Sequence, residues 1–276
     1  MSMEALRDDT FRRITGLMHD TIGLSFAESK KPLVTSRLAT RIQRLGLSGF
    51  DEYCDLISGN DGGEFQMAVD LLTTNETYFF REPAHFQLLE KELIRTKPRH
   101  LAVWSAASSF GDEAYTTAML LADLHHAGHI GPDWSVLGTD ISDRVLRSAS
   151  AAIYPADRLR HVSPARLKRH CLRGEAESEG LIQIQEQLRR HVSFGQLNLC
   201  QDVNDVGPFD VIFLRNVLIY FDMQTKQEVV RRVLSRLRPG GLFFIGTAEG
   251  RMPFATSLQG LAPGAFRLAR PVPVAA

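Results

Sequence analysis

The chain has 276 residues, enough for one large domain or two smaller ones, and 44% of them are apolar, so it buries a sizeable core and is not a disordered polymer. Lys plus Arg number 32 and Asp plus Glu number 32, a balance that argues against bulk electrostatic capture of nucleic acid or anionic membrane while leaving room for a local basic patch. Cys54, Cys171 and Cys200 are scattered with no CxxC pair, the opening MSMEALRDDTFRR carries no apolar signal core, and no apolar run reaches membrane-spanning length; a reducing cytoplasm fits this pattern.

Residues 1–72 read as a small helical domain. Leu6, Ile14, Leu17 and Met18 recur near helical spacing in the first segment, and Val34, Leu38, Ile42 and Leu45 in the second. SGFDEYCDLISG is a third helix, with Ser48 as cap and Gly59 as stop, and GGEFQMAVDLLT a fourth. On the second helix Arg37, Arg41 and Arg44 fall at i, i+4 and i+7 and share a face, and no acidic residue occurs from Lys30 to Arg44. Two readings fit that face: an ordinary solvated surface, or a docking surface for an acidic protein.

Residues 73–98 read as a linker. Here Thr74, Asn75, Glu76 and Thr77 run straight into Tyr78, Phe79, Phe80 and Arg81. So many hydrogen-bonding groups are unusual in a core, and three adjacent rings are unusual in a surface loop. Either the rings latch two domains together, or the segment anchors itself by its rings and presents its polar groups to a ligand.

From residue 99 the texture becomes that of an α/β domain. HLAVWSA is a short strand ending in a small-residue loop, and DEAYTTAMLLADLHHAG is a helix. WSVLGTD is a second strand ending in Asp140, followed by the helix start SDRVLRSA. FDVIFLRNVL, KQEVVRRVLSRL and LFFIGT complete the alternation. Such alternation predicts βαβ units and a largely parallel sheet, with ligands held beyond the carboxyl ends of the strands. Residues 171–193 stand apart. Ile182 and Ile184 alternate with Gln183 and Gln185, and GEAESEG forms a turn, which predicts a small β insertion. That insertion is either an interaction surface or a plain surface elaboration.

The loop after the first strand, SAASSFGDE, holds a single glycine, Gly111, so the GxGxxG dinucleotide cradle is missing, and no GxxxxGK[ST] occurs. An adenosyl ligand without phosphate fits better. Asp140 can accept from a ribose diol, and Glu113 or Asp112 can face an ammonium group. His125 and His129 fall four apart but lack the further ligands a zinc site needs.

In order and spacing, LLTTNETYFFREPAHF, VWSAASSFGDEAYTTAMLLAD, GTDIS, VSFGQLNL and FDVIFLRNVLIYFD resemble the CheR-type chemotaxis-receptor glutamate methyltransferases, over nearly the whole chain. The resemblance implies a Rossmann-like S-adenosyl-L-methionine-dependent methyltransferase sheet at 99–276, a small antiparallel β-subdomain inserted within it, and an all-α receptor-docking domain in front. It also implies methyl transfer from S-adenosyl-L-methionine to receptor glutamates, giving methyl esters and S-adenosyl-L-homocysteine. Carried over by position, the cofactor contacts fall on Asn75, Thr77, Arg81, Glu113, Asp140, Asn198 and Leu199, with Asn216 beside them; Arg81 and Tyr220 lie beside the methyl-transfer centre. The partners implied are receptor cytoplasmic helices, docked by Arg37, Arg41 and Arg44, and a receptor C-terminal peptide at the β-subdomain. The enzyme implied is a cytoplasmic monomer recruited to membrane receptor arrays, with no metal, no nucleic-acid partner and no membrane insertion of its own. The chain departs from the family's pattern at Phe110, Asp112 and Ala114, and in GTAEG after the last strand, where GHSE is common.

Such a reaction needs no general base, because a glutamate carboxylate is already ionised at neutral pH. It needs alignment and exclusion of water, which suits Arg81 and Tyr220 as orienting groups. Two rivals remain. One is a methyltransferase acting on nucleic acid or a small molecule; amino-directed DNA enzymes often carry an Asn/Asp-Pro-Pro-Tyr/Phe run where this chain has RNVLIYF. A non-catalytic adaptor retaining the cofactor fold is the other.

Overall fold

A computed structural model describes residues 5–59, 62–250 and 257–269. Four helices form the N-terminal domain: α1 (Asp8–Ile22), α2 (Lys31–Leu45), α3 (Phe50–Ser58) and α4 (Gly62–Leu72). Asp8 and Asp9 sit in the first turn of α1, where the helix dipole favours negative charge. α1 and α2 end on the left-handed glycines Gly23 and Gly46, and Pro32 lies in the first turn of α2. Ile14, Met18, Leu38, Ile42 and Tyr53 are fully buried between the helices. Ser48 does not cap α3. Gly49 holds the cap position, and both the amide and the hydroxyl of Ser48 donate to Glu52 instead, at 2.7 and 2.8 Å.

The segment expected to be a linker contains a 14-residue helix, α5 (Pro83–Thr96), whose Phe86, Leu89 and Leu93 are buried against the second domain. That domain is built on β1 (His100–Ser105), β2 (Asp133–Asp140), β6 (Val192–Gln196), β7 (Phe209–Leu214) and β8 (Leu237–Ile245), all parallel, in the order β6-β2-β1-β7-β8. The chain runs outward from β1 on one side and then returns to add β7 and β8 on the other. The crevice between the carboxyl ends of β1 and β7 is therefore the topological switch point. Helices α6 (Asp112–His126), α7 (Asp143–Ala151) and α10 (Met223–Leu234) make connections along the sheet. An antiparallel hairpin, β9 (Leu258–Ala262) and β10 (Ala265–Leu268), extends the sheet beyond β8. Trp104, Phe213, Phe243 and Phe244 are fully buried at its centre.

A second sheet, antiparallel in the order β3-β5-β4, is inserted between α7 and β6. Its strands are β3 (Ile153–Pro155), β4 (Cys171–Arg173) and β5 (Leu181–Ile184), with α8 (Pro164–His170) between β3 and β4 and the short α9 (Glu186–Arg189) after β5. The expected range 171–193 is therefore shifted. Ile153–Pro155 pairs with β5, and Val192 and Ser193 belong to the main sheet. A three-residue strand bounded by Ala152 and Pro155 is too short to show a period of its own.

The three adjacent rings divide their work. Phe79 is fully buried, edge-on to Tyr154 of the inserted sheet with centroids 5.1 Å apart. Phe80 packs on Phe86 of α5 at 5.8 Å, under the Arg166 guanidinium. Only Tyr78 is exposed, at 37%. Phe79 and Phe80 thus fasten the segment to the second domain and its insertion, rather than latching the two domains to each other.

Candidate active site

Five chain segments bring polar groups to the switch point, and the end of α1 adds apolar wall. The first leaves α4 and is held from below: the Arg37 guanidinium donates to the Leu72 and Thr73 carbonyls at 2.7 and 3.1 Å and to the Thr74 hydroxyl at 2.9 Å. The Asn75 carbonyl accepts from Ser109 Oγ at 3.1 Å, and the Arg81 guanidinium donates to the Glu76 carbonyl at 2.7 Å. Phe79 then plugs into the core two residues before Arg81 and fixes where that side chain leaves the backbone.

The second segment is the loop from β1 into α6. Gly111 has φ 86° and caps α6; a Cβ there would lie 2.9 Å from Ala149 and 3.0 Å from Phe194. The single glycine of this loop thus serves a turn and close packing. It delivers Glu113 into the first turn of α6, where the carboxylate accepts from Ser105 Oγ at 2.7 Å and pairs with Arg215 Nη1 at 3.2 Å. The third segment is the end of β2. Asp140 accepts from the Ser109 amide at 2.9 Å on one oxygen and from the Ser142 amide at 3.0 Å on the other. Burial pushes both carboxyls above the usual carboxylate range. The Arg215 charge and the Ser105 hydroxyl oppose this at Glu113, and the Ser142 and Ser109 amides oppose it at Asp140.

Beyond β6, the Asn198 side chain donates to the Thr21 carbonyl of α1 at 2.7 Å and accepts from the Cys200 amide at 2.9 Å; Leu199 is buried beside it. Beyond β7, Arg215 is buried and reaches the Arg81 carbonyl at 2.5 Å, while Asn216, at φ 59°, donates to Glu82 at 3.3 Å. Glu249 holds this loop from behind by accepting from the Leu218 and Gly246 amides at 2.7 and 2.6 Å.

The result is a cleft of about 1000 Å³, counting the space at its mouth. Asn75, Thr77, Arg81, Glu113, Asp140, Asn198, Leu199, Asn216 and Tyr220 all line it, with Ile22, Leu24 and Phe221 among its apolar walls. The three arginines of α2 do not line it. Arg37 is spent on the end of α4. Arg41 grips the buried Glu64 at 2.9 and 2.5 Å, and Glu64 also accepts from the buried Tyr53 hydroxyl. Only Arg44 is exposed. Two arginines of the expected docking stripe thus also brace α4, which packs on the face they share, while the Arg41 side chain keeps 29% of its surface exposed.

Sequence reasoning placed Arg215 at a strand end of interest without giving it a role, and assigned none to Ser105, Glu82 and Glu249. Arg215 carried a readable signal, a charge closing the apolar strand FDVIFLR. The other three act through carbonyls, amides and neighbours that only the fold brings close.

The cleft fits S-adenosyl-L-methionine. Glu113 and Arg215 set a negative and a positive group side by side, which matches an amino-acid zwitterion, and the buried Arg215 Nε has no partner among the described residues. Asp140 retains lone pairs for hydroxyl donors after its two amide bonds.

A family model described as the CheR methyltransferase SAM binding domain matches residues 75–259, and one described as the CheR methyltransferase all-alpha domain matches residues 9–73. The chain is 42% identical to a chemotaxis protein methyltransferase of Escherichia coli over 89% of this chain and 85% of that protein. It is 40% identical to the Salmonella typhimurium counterpart over the same shares. It is also 40% identical to chemotaxis protein methyltransferase 2 of Pseudomonas aeruginosa, over 88% and 86%.

Proposed function

The chain belongs to the CheR methyltransferase family, and from that premise we infer that it transfers the methyl group of S-adenosyl-L-methionine to glutamate side-chain carboxylates of methyl-accepting chemotaxis receptors. The products are glutamyl methyl esters and S-adenosyl-L-homocysteine. The observation that carries the reading is the cleft itself: residues from segments as distant as Asn75 and Tyr220 line one space with Glu113, Arg215 and Asp140 at its base.

Bound in this cleft, S-adenosyl-L-methionine supplies a methyl group on a sulfonium that is open to attack by an ionised carboxylate. The chain's part is to hold and to exclude. Glu113 and Arg215 hold the two ends of the amino-acid moiety, Asp140 the ribose hydroxyls, and Asn75, Thr77, Asn198, Leu199 and Asn216 the remaining edges. Arg81 steers the acceptor carboxylate through its guanidinium fork without abstracting a proton, and Tyr220 orients it by its hydroxyl or its ring. Ile22, Leu24 and Phe221 keep water from competing.

A second contact is proposed at the small sheet. Its edge strand β4 leaves backbone groups free to pair with a receptor's C-terminal peptide, which would raise the local enzyme concentration near distant glutamates. Titration with receptor C-terminal pentapeptides tests it, since micromolar binding lost on shortening the 173–180 loop is the expected result. Recruitment to receptor arrays as a monomer belongs to the same proposal.

The activity is tested by tritiated methyl transfer into purified receptor cytoplasmic fragments, with mass-spectrometric mapping of the esters. Label in base-labile glutamyl esters is expected. Failure of the folded protein to bind S-adenosyl-L-homocysteine or to label any fragment would overturn the reading.

A further inference from the structure

Besides the exposed Arg44 of α2, a separate group of cations stands at the cleft mouth. Tyr78 lines the cleft and is 37% exposed. Two guanidinium carbons, of Arg81 and of Arg160, each stand 5.9 Å from its ring centroid, and the His161 ring lies 5.2 Å from it. Arg160 and His161 follow β3, in the connection to α8, and both are exposed. Neighbouring Arg158 is neutralised by the buried Asp112, at 2.7 and 3.0 Å, whereas the Arg160 side chain pairs with no acidic side chain among the described residues and donates to His161 Nε2 at 3.1 Å. The Glu76 carboxylate also lines the cleft, one acid beside Arg81 and Arg160.

We propose that Tyr78, Arg160 and His161 form a docking surface for the acidic flank of the substrate helix, the residues one or two turns from the acceptor glutamate. The proposal rests on the receptor-glutamate reading and names which part of the substrate the mouth reads. The geometry carries it. Arg81 and Arg160 share one ring, so their guanidinium carbons are at most twice 5.9 Å apart. One helical turn advances about 5.4 Å, so a helix whose glutamate enters beside Arg81 brings a carboxylate one or two turns away to Arg160. The Tyr78 ring between them offers an apolar contact for the helix body and holds the Arg160 guanidinium by a cation–π contact.

The experiment measures methyl transfer into a purified chemoreceptor cytoplasmic fragment at low salt, with wild type, Arg160→Glu and Arg160→Lys. It is repeated on fragments in which acidic residues one or two turns from the acceptor are changed to glutamine. Arg160→Glu is expected to raise the KM for the receptor about tenfold, with kcat and S-adenosyl-L-homocysteine affinity unchanged. Arg160→Lys is expected to stay within about threefold of wild type, because the charge is kept. On the glutamine-flanked fragment the Arg160→Glu effect is expected to vanish, as it must if the two groups meet. A KM for Arg160→Glu within twofold of wild type overturns the proposal, as does a parallel fall in cofactor affinity, which would mean that the change acts through the adjoining Arg158–Asp112 contact. If the wild-type protein methylates no fragment, the function itself fails, and that outcome is distinct from either.

Discussion

At Asp140 two backbone amides, from Ser109 and Ser142, hold the carboxylate at the end of β2, so the side chain is in place before any ligand arrives. A hydrogen bond to a charged acceptor contributes about 1.5–3 kcal/mol, so Asp140→Ala is expected to weaken S-adenosyl-L-homocysteine binding about 10–100-fold by calorimetry. Arg81 differs, because its side chain bonds only within its own segment, to the Glu76 carbonyl. Arg81→Ala should leave the melting temperature within a degree or two while methyl transfer falls about a hundredfold, the scale of a misplaced reacting group. Near wild-type activity would remove the orienting role. Tyr220→Phe separates hydroxyl from ring: a large loss assigns the hydroxyl, a small one the packing surface. Glu113 and Asp140 were legible in the sequence because their order and spacing match the CheR-type motifs, whereas an acid at a helix start or strand end serves as readily for capping, as Asp8 and Asp9 do. Arg37 and Arg41 were not, since a helical stripe reads the same whether solvent or another helix covers it.

Among the elements, the alternation of strands and helices from residue 99 exposed the parallel sheet, and the aromatic triplet marked the segment beneath the cleft. The hairpin β9–β10 and the strand β3 were hidden because short edge strands take their stability from pairing rather than from a period of their own. The helix α5 was hidden behind Pro83, which reads as a break but sits in a first turn, where its missing N–H costs nothing. Within the triplet the fold predicts a sharp contrast. Phe79→Ala removes a fully buried ring and should cost about 3–5 kcal/mol in urea unfolding, whereas Tyr78→Ala, at the exposed mouth, should stay within about 0.5 kcal/mol. Equal effects would mean that the segment is not anchored as described. The α2 brace gives a parallel contrast. Arg41→Ala withdraws the guanidinium from buried Glu64 and should cost about 2–3 kcal/mol, while Arg44→Ala, on the exposed face, should cost almost nothing.

Taken whole, the molecule places its cleft on the seam between two domains, so the integrity of the site depends on how the seam closes. Gly23, at φ 74°, lets the end of α1 approach so closely that a Cβ there would lie 2.5 Å from Cys200 Sγ and 2.8 Å from Thr225. Beside it the Ser25 amide donates to the Tyr220 carbonyl at 3.0 Å, tying the N-terminal domain to the loop that carries a candidate catalytic ring. The seam also holds a titratable ion pair, His19 Nε2 and Asp222 Oδ2 at 2.6 Å, with Asp20 facing the other ring nitrogen. The Thr225 amide and then His19 hold Asp222 down at about 2, and Asp222 and then Asp20 raise His19 above its ordinary 6.5. The signs set a window. The raised histidine contributes stability that is complete below about 6.5 and lost as pH rises through its folded value. The lowered aspartate contributes stability that is complete above about 3.8 and lost as pH falls through about 2. Both partners are about 40% exposed, so the pair belongs with surface pairs worth under about 1 kcal/mol. The destabilisation caused by His19→Ala should therefore be larger at pH 5.5 than at pH 8.5. In an NMR titration Asp222→Asn should lower the His19 midpoint toward its ordinary value, leaving only the share due to Asp20. A stability difference independent of pH across that range, or a His19 midpoint unmoved in Asp222→Asn, would show that the seam is held by packing at Gly23 and by uncharged hydrogen bonds such as that of Asn198 to the Thr21 carbonyl.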